Sequence, residues 1–179
     1  SVPSRESAAN IIGLGLPEAT NQLFPGIDEQ KAALFTASYS AQFRAQDSAP
    51  CEFFDGVLET LSQLRAQGCL LAVATGKSRA GLDRVLSAMN MSTFFDGSRC
   101  ADETLSKPNP LMIKELLAEL LVSPDEAVMV GDTEFDLEMA QNAGVRSIAM
   151  TYGAHSKKRL AAFEPMACLD NFKNIVNYL

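Results

Sequence analysis

The chain of 179 residues carries 15 basic and 22 acidic residues, which gives a formal net charge of −7. A chain of this length folds into one core, or into a core domain with a small subdomain. The acidic residues are spread along the sequence and no basic patch occurs, which argues against a nucleic-acid partner. The apolar runs are too short to cross a bilayer and no signal-peptide pattern opens the sequence, so we expect no membrane partner.

Cysteine and histidine usage limits the chemistry further. The four cysteines form no Cys-x-x-Cys pair, which favours a reducing compartment, and we expect a cytoplasmic protein. The only histidine is His155, so a histidine-based metal site or catalytic triad is excluded. Because basic residues follow it at positions 157–159, we expect His155 to be a solvated loop residue.

The first part of the chain shows helical signals without a convincing strand. Pro17 opens a short helix, and Asp28 precedes a longer helix with apolar residues at helical spacing, namely Leu34, Phe35, Tyr39 and Phe43. A polar link at 46–50 ends in proline and marks the passage to a different domain. We therefore expect a small helical layer over residues 1–49 and a second domain over residues 50–179.

From Val57 onward the pattern alternates between helices and short apolar runs. The helix that begins at Val57 stops at Gly68, and the predicted strands cover 69–74, about 98–101, 127–130 and 146–150. Repeated units of this kind favour an α/β fold, with a parallel sheet and helices on both of its faces.

The strand at 127–130 ends at a glycine and an acidic cluster. Asp132 is placed to cap the following helix, and Asp136 comes one turn later on the same face. In open α/β sheets, the space above the carboxyl ends of the strands is where ligands bind. Two close carboxylates repel each other unless a cation or a proton lies between them, and magnesium is the natural candidate.

Four features fall at this end of the predicted sheet, and phosphate chemistry suits them. They are Thr75 with Gly76, Lys107, Asp132 with Asp136, and the loop 151–153. A hydroxyl and backbone N–H groups bind phosphoryl oxygens, a lysine supplies positive charge, and carboxylates hold a metal. Each also has a purely structural interpretation, because Thr75 and Asp132 serve equally as caps, and Lys77 and Lys107 as surface lysines.

The order and spacing of these features resemble the haloacid dehalogenase (HAD) superfamily, in particular its phosphoglycolate-phosphatase-like branch with a helical cap. Residues 74–78 resemble the second motif of that family, residues 106–110 the third, and Gly131-Asp132-Thr133-x-x-Asp136 the fourth. The stretch 13–16 and the helices up to about residue 43 resemble the cap. The resemblance implies a Rossmann-like HAD core over 50–179 and an incomplete cap over 1–49.

The resemblance also implies roles for individual residues. Thr75 and Gly76 would bind the phosphoryl group, and Lys107 would steady it against the nucleophile. Asp132 would ligate Mg²⁺ directly, with Asp136 supporting the metal or its waters. The cap loop Gly13-Leu14-Gly15 would face the substrate, although a simple turn is the alternative interpretation of its glycines.

One motif of the family is missing from the printed residues. Its first motif, Asp-x-Asp-Gly-Thr, holds the nucleophilic aspartate on the central strand, and the closest string here has Phe53 at that position and follows the cap. We expect the central first strand to be absent from this sequence, the natural protein to extend toward the amino terminus, and the printed chain to be inactive. Otherwise another chain supplies the strand, through strand exchange or a dimer.

The expected function is a magnesium-dependent phosphatase that acts on a small phosphorylated metabolite through a phospho-aspartate. On the same fold, β-phosphoglucomutase-like or pyrophosphatase activity is an alternative, as is a non-catalytic phosphate-binding protein. A two-component receiver domain is discounted, because its acidic cluster precedes the threonine and lysine, whereas Asp132 follows both Thr75 and Lys107.

Overall fold

Helices and strands alternate along the second part of the chain, as the sequence predicts. The computed structural model describes residues 2–46 and 52–179. The helices are α1 (Arg5–Asn10), α2 (Leu16–Leu23), α3 (Glu29–Gln46), α4 (Val57–Ala66), α5 (Arg79–Ala88), α6 (Leu111–Leu120), α7 (Glu134–Ala143) and α8 (Lys157–Ala161). The strands are β1 (Ala72–Thr75), β2 (Gly97–Cys100), β3 (Val128–Gly131), β4 (Arg146–Met150) and β5 (Ala167–Leu169), and 3-10 helices cover Pro124–Glu126 and Phe172–Asn177.

Helices α1–α3 form the predicted helical layer. Pro17 lies in the first turn of α2, where its missing N–H costs nothing, and the Asp28 carboxylate accepts the N–H groups of Gln30 and Lys31 at the start of α3. The ring of Phe24 meets that of Phe35 edge-on at 5.1 Å, which joins the end of α2 to α3. The predicted link at 46–50 lies largely outside the described residues, so the domain division at 49/50 stays a prediction.

All the strand pairs are parallel, and they fall into two sheets. Strand β1 pairs with β2, and β3, β4 and β5 form the second sheet in that order. Among the described residues, β1 and β3 are not hydrogen-bonded to each other. This division agrees with a parallel sheet that lacks its central strand.

Helices cover both faces of the three-stranded sheet. On one face, α6 and α7 contribute Met112, Ile113, Met139 and Ala140, which pack against Met129 of β3. On the other face, Leu64 of α4 and Ile175 of the last 3-10 helix pack against Ile148 and Met150 of β4. The predicted α/β fold is therefore confirmed. In the part of the chain that the structure describes, no helix combines the length and apolarity needed to span a membrane.

The structure corrects the predicted set of strands in two places. The strand predicted at 69–74 begins only at Ala72, because the N–H of Cys69 is used to close α4 on Leu64 O (3.1 Å) and Leu71 bonds Asp96. Strand β5 has only 3 residues and was not predicted, since so short an apolar run shows no periodicity.

Candidate active site

The predicted site residues Lys107 and Asp136 form a buried ion pair. Lys107 Nζ donates to Asp136 Oδ1 at 2.5 Å, and the two residues are only 6% and 4% exposed. The alternative interpretation of Lys107 as a surface lysine is therefore excluded. The ammonium carries three hydrogens, and among the described residues its only hydrogen-bond acceptor is Asp136. Its other hydrogens remain for an anion.

The first turn of α7 holds Asp136 in place. Thr133 is the N-cap, because its side chain accepts the N–H of Asp136 at 3.3 Å. The other carboxylate oxygen of Asp136, Oδ2, accepts both the N–H (3.1 Å) and the hydroxyl (2.7 Å) of Thr133. The prediction that Asp132 caps this helix is wrong, because the hydroxyl of Thr133 reaches the free N–H groups from the next position.

Asp132 is held instead by the loop that follows β4. The N–H of Ala154 donates to Asp132 Oδ2 at 2.8 Å, and the N–H of His155 donates to the main-chain oxygen of Asp132 at 3.1 Å. Gly153 lies so close that an added Cβ would stand 2.1 Å from Asp132 Oδ2. Among the described residues, Asp132 Oδ1 has no hydrogen-bond partner. One oxygen of this carboxylate is thus fixed and the other is available.

At the end of β1, the hydroxyl of Thr75 accepts the N–H of Lys77 at 3.1 Å. The predicted turn-capping role of Thr75 is therefore present. Since the hydroxyl oxygen acts as the acceptor, its hydrogen remains free to be donated to a phosphoryl oxygen. Lys77 is exposed, as expected, and its ammonium lies 5.8 Å from the ring centre of Phe43 on α3.

The loop Gly13-Leu14-Gly15 brings these parts together. An added Cβ on Gly76 would be 2.6 Å from Leu14 O, and one on Gly13 would be 2.8 Å from Thr133 Oγ1. The N–H of Gly15 donates to Ser106 Oγ at 2.8 Å, one residue before Lys107. The loop thus contacts the ends of β1 and β3 and the Lys107 segment. Gly13 has a φ of +105°, which disfavours other residues there.

Arg159 adds a further link between the helical layer and α7. Its guanidinium pairs with both carboxylate oxygens of Glu134 and donates to Asn10 Oδ1 at 2.7 Å. This guanidinium holds the pKa of Glu134 below its ordinary value. The end of α1 is therefore tied to the first residue of α7.

Magnesium fits the donor chemistry of this site. Both oxygens of Asp136 are already bonded, whereas Asp132 has a free oxygen. Within the described ranges, no group of three or more His, Cys, Asp or Glu side chains is positioned to hold a metal. Magnesium commonly takes one or two carboxylates and completes its shell with water and phosphate oxygens. The metal roles of Asp132 and Asp136 stay predictions, with Asp132 the better placed.

Comparison with known proteins decides the family. The model of the haloacid dehalogenase-like hydrolase family matches residues 1–150. The chain belongs to this family. The HAD resemblance read from the motifs is confirmed, and the HAD-like fold of the chain follows from it.

Individual relatives of this HAD hydrolase cover nearly all of the chain. The probable phosphatase IndB of Dickeya dadantii (strain 3937) is 35% identical over 176 residues, which are 96% of this chain and 76% of IndB. The pyrophosphatase PpaX of Bacillus cereus (strain B4264) is 29% identical over 176 residues, covering 98% of this chain and 80% of PpaX. The crystal structure of a predicted phosphoglycolate phosphatase from Haemophilus somnus 129PT has a TM-score of 0.84 at 23% identity, covering 98% of this chain and 82% of that chain.

Sequence reasoning missed several residues that build the site of this HAD hydrolase. Ser106 and Thr133 lie inside the motifs but their bonds to Gly15 and Asp136 depend on the folded geometry. His155 was expected to be solvated, and the structure shows it to be only 3% exposed. The basic residues at 157–159 are typical of an exposed loop, and no pattern in the neighbouring sequence indicates that the side chain of His155 is buried.

Proposed function

We propose that this protein is a HAD-type phosphatase that hydrolyses a small phosphorylated metabolite. The observation that carries the proposal is the buried pair of Lys107 and Asp136 beside Asp132, which has an oxygen free of hydrogen bonds from the described residues. A buried lysine before α6 and a buried carboxylate in the first turn of α7 are costly to desolvate. Phosphate binding would explain why both charges are kept.

Each side chain has a defined part in the proposed reaction. Thr75 donates its hydroxyl hydrogen to a phosphoryl oxygen, and the N–H groups of the 75–77 turn lie beside it. Lys107 neutralises the charge on the phosphoryl group, while Asp136 fixes the direction of its ammonium. Phosphoryl transfer demands mainly positioning and charge neutralisation, which these rigid contacts provide.

The metal in this proposal is Mg²⁺. When bound, it would be held by the carboxylate of Asp132, and it would supply positive charge that neutralises the phosphoryl group. Asp136 would support this arrangement indirectly, through Lys107 and Thr133.

The nucleophile in this proposal is the aspartate that the first motif of the family, Asp-x-Asp-Gly-Thr, supplies. The sequence contains no Asp-x-Asp-Gly-Thr string, and Asp55, in the closest one, has a side chain that is 92% exposed beside Lys173. Among the described residues β1 and β3 are not hydrogen-bonded to each other, and in this proposal such a strand would pair between them. The attack would form a phospho-aspartate and break the P–O bond to the alcohol or phosphate that leaves. Water would then hydrolyse the phospho-aspartate to the free carboxylate and inorganic phosphate.

Two substrate classes fit the proposal. The phosphoglycolate-phosphatase-like motifs favour a small phosphomonoester as substrate. Pyrophosphate is the second candidate, supported by the 29% identity to the pyrophosphatase PpaX. Both substrates present a terminal phosphoryl group to Thr75 and Lys107. We place the reaction in the cytoplasm, without nucleic-acid or membrane partners.

Substitution of Asp132 tests the proposal. Asp132→Asn, in the protein expressed from its whole reading frame, should lower the kcat for p-nitrophenyl phosphate by about 100-fold or more, because charge stabilisation is lost. Asp125→Asn, which makes the same chemical change at an exposed site, should leave kcat unaltered. Full activity in Asp132→Asn would overturn the mechanism.

A further inference from the structure

We propose that His155 is a positioning residue for Asp132. It pins the loop Gly153–His155 to the start of α7, so that the N–H of Ala154 keeps Asp132 Oδ2 in place and leaves Oδ1 directed to the reaction. The functional meaning of this inference rests on the proposed function, in which Asp132 is the carboxylate that serves the phosphoryl group.

The first step is the contact between His155 and α7. His155 Nδ1 accepts the N–H of Glu134 at 3.0 Å. Glu134 is the first residue of α7, and its N–H is one of the donors that a helix leaves without an internal partner. The side chain of His155, in the loop after β4, thus accepts a free N–H at the start of α7. This is the helix that follows Asp132 and carries Asp136.

The second step is the contact between the same loop and Asp132. The main-chain N–H groups of Ala154 and His155 donate to the Oδ2 and O atoms of Asp132, at 2.8 and 3.1 Å. Gly153 leaves room for the carboxylate, since an added Cβ would lie 2.1 Å from Oδ2. The loop therefore fixes both the main chain and one carboxylate oxygen of Asp132, and His155 is its anchor.

The third step is that a packing role alone does not explain an imidazole here. The ring is 3% exposed and meets Phe135 edge-on at 5.6 Å, a place that a phenyl ring would also fill. With Nδ1 as acceptor, the proton lies on Nε2, which is buried without a hydrogen-bond partner among the described residues. An unpaired buried donor is unfavourable. What the imidazole gains over phenyl is the bond from Glu134.

Two substitutions separate the acceptor from the ring. His155→Phe keeps the ring and removes the acceptor, whereas His155→Asn removes the ring and keeps an oxygen near the position of Nδ1. Amide hydrogen exchange of Ala154 and Glu134 reports the two bonds directly and requires neither metal nor activity. We expect exchange to be on the order of 10-fold faster in His155→Phe and close to wild type in His155→Asn.

The same variants are assayed for phosphatase activity in the protein expressed from its whole reading frame. The Mg²⁺ concentration for half-maximal hydrolysis of p-nitrophenyl phosphate should rise about 10-fold in His155→Phe and return toward wild type in His155→Asn. A role in packing alone would give the reverse order, with Phe tolerated and Asn harmful, and that result would overturn the inference.

One further measurement uses only the wild-type protein, so it does not depend on whether a variant folds. The ¹⁵N chemical shifts of the imidazole should show Nδ1 as an unprotonated acceptor and Nε2 as protonated, whereas a protonated Nδ1 would overturn the inference. The two proposals can fail separately. If slow amide exchange at Ala154 depends on the acceptor at position 155 but no phosphatase activity is found, the proposed function fails. The role of His155 as the anchor of the loop then still holds.

Discussion

At the scale of single residues, the buried pair of Lys107 and Asp136 has the largest energetic consequences. Asp136 accepts three hydrogen bonds, from Lys107 Nζ and from the N–H and hydroxyl of Thr133, at 4% exposure. Taking two charges out of water is expensive, and the pair is tolerated because each charge neutralises the other. Removing one partner is therefore more harmful than removing both.

Unfolding measurements test this coupling. Lys107→Met should lower the free energy of unfolding by about 3–5 kcal/mol, because Asp136 is left buried without a counter-charge. Adding Asp136→Asn should recover part of the loss, and Lys114→Met, at an exposed lysine on α6, should stay within about 0.5 kcal/mol of wild type. Urea denaturation gives the values, and a double-variant loss equal to the sum of the losses in Lys107→Met and Asp136→Asn alone would show that the charges are not coupled.

At the scale of secondary-structure elements, an ionic network joins the start of α5 to the segment after β2. The guanidinium of Arg79 donates to both oxygens of Glu103, at 2.8 and 2.7 Å, and the N–H of Cys100 donates to Glu103 Oε2 at 3.0 Å. The hydrogen bond from Arg79 lowers the pKa of Glu103 from 4.5 to about 2. These contacts hold β2 against α5 beside the Thr75 turn.

The lowered pKa gives a defined dependence on pH. In the unfolded chain Glu103 titrates near 4.5, so its stabilisation is complete above that pH and is lost as the pH falls toward about 2. Because the pair is partly exposed, we expect Glu103→Gln to cost at most about 1 kcal/mol at pH 7 and less at pH 3. Urea midpoints at both pH values measure this. Glu52→Gln, at an exposed carboxylate, is the control, and a cost that grows as the pH falls would contradict the assignment.

At the scale of the whole molecule, the Gly13–Gly15 loop connects the two sheets. Strands β1 and β3 belong to separate sheets among the described residues, and the Gly13–Gly15 loop lies against residues that follow both strands. The loop thus contacts both sheets next to Thr75 and Asp132, the residues proposed to bind phosphate and metal.

The activity of the 179 residues by themselves is a further test of the proposed mechanism. We expect the 179 residues to hydrolyse p-nitrophenyl phosphate no faster than buffer, because they contain no Asp-x-Asp-Gly-Thr string to supply the nucleophile. Circular dichroism first establishes that they are folded. Turnover above that of buffer would place the nucleophile within them.

Much of this architecture could be predicted locally. The bounds of β4 matched the predicted 146–150, because Gly144 and the apolar run around Ile148 mark them in the sequence. The predicted gathering of Thr75, Lys107, Asp132 and Asp136 rested on the rule that parallel strands end at the same edge of a sheet, whereas the cap glycines were placed there by the family resemblance. Two predictions failed because a nearby group formed the bond instead: Thr133 rather than Asp132 caps α7, and the N–H of Cys69 closes α4 on Leu64 O instead of extending β1.

The sequence by itself determined the order of elements, the acidic cluster after β3 and the motifs of the family, because periodicity, glycine and proline act over a few residues. Only the tertiary structure decided that Lys107 pairs with Asp136, 29 positions away, and that His155 turns inward to bond Glu134, 21 positions away. Such contacts depend on which elements pack together, and the energy that selects them is not encoded in any short stretch of the chain.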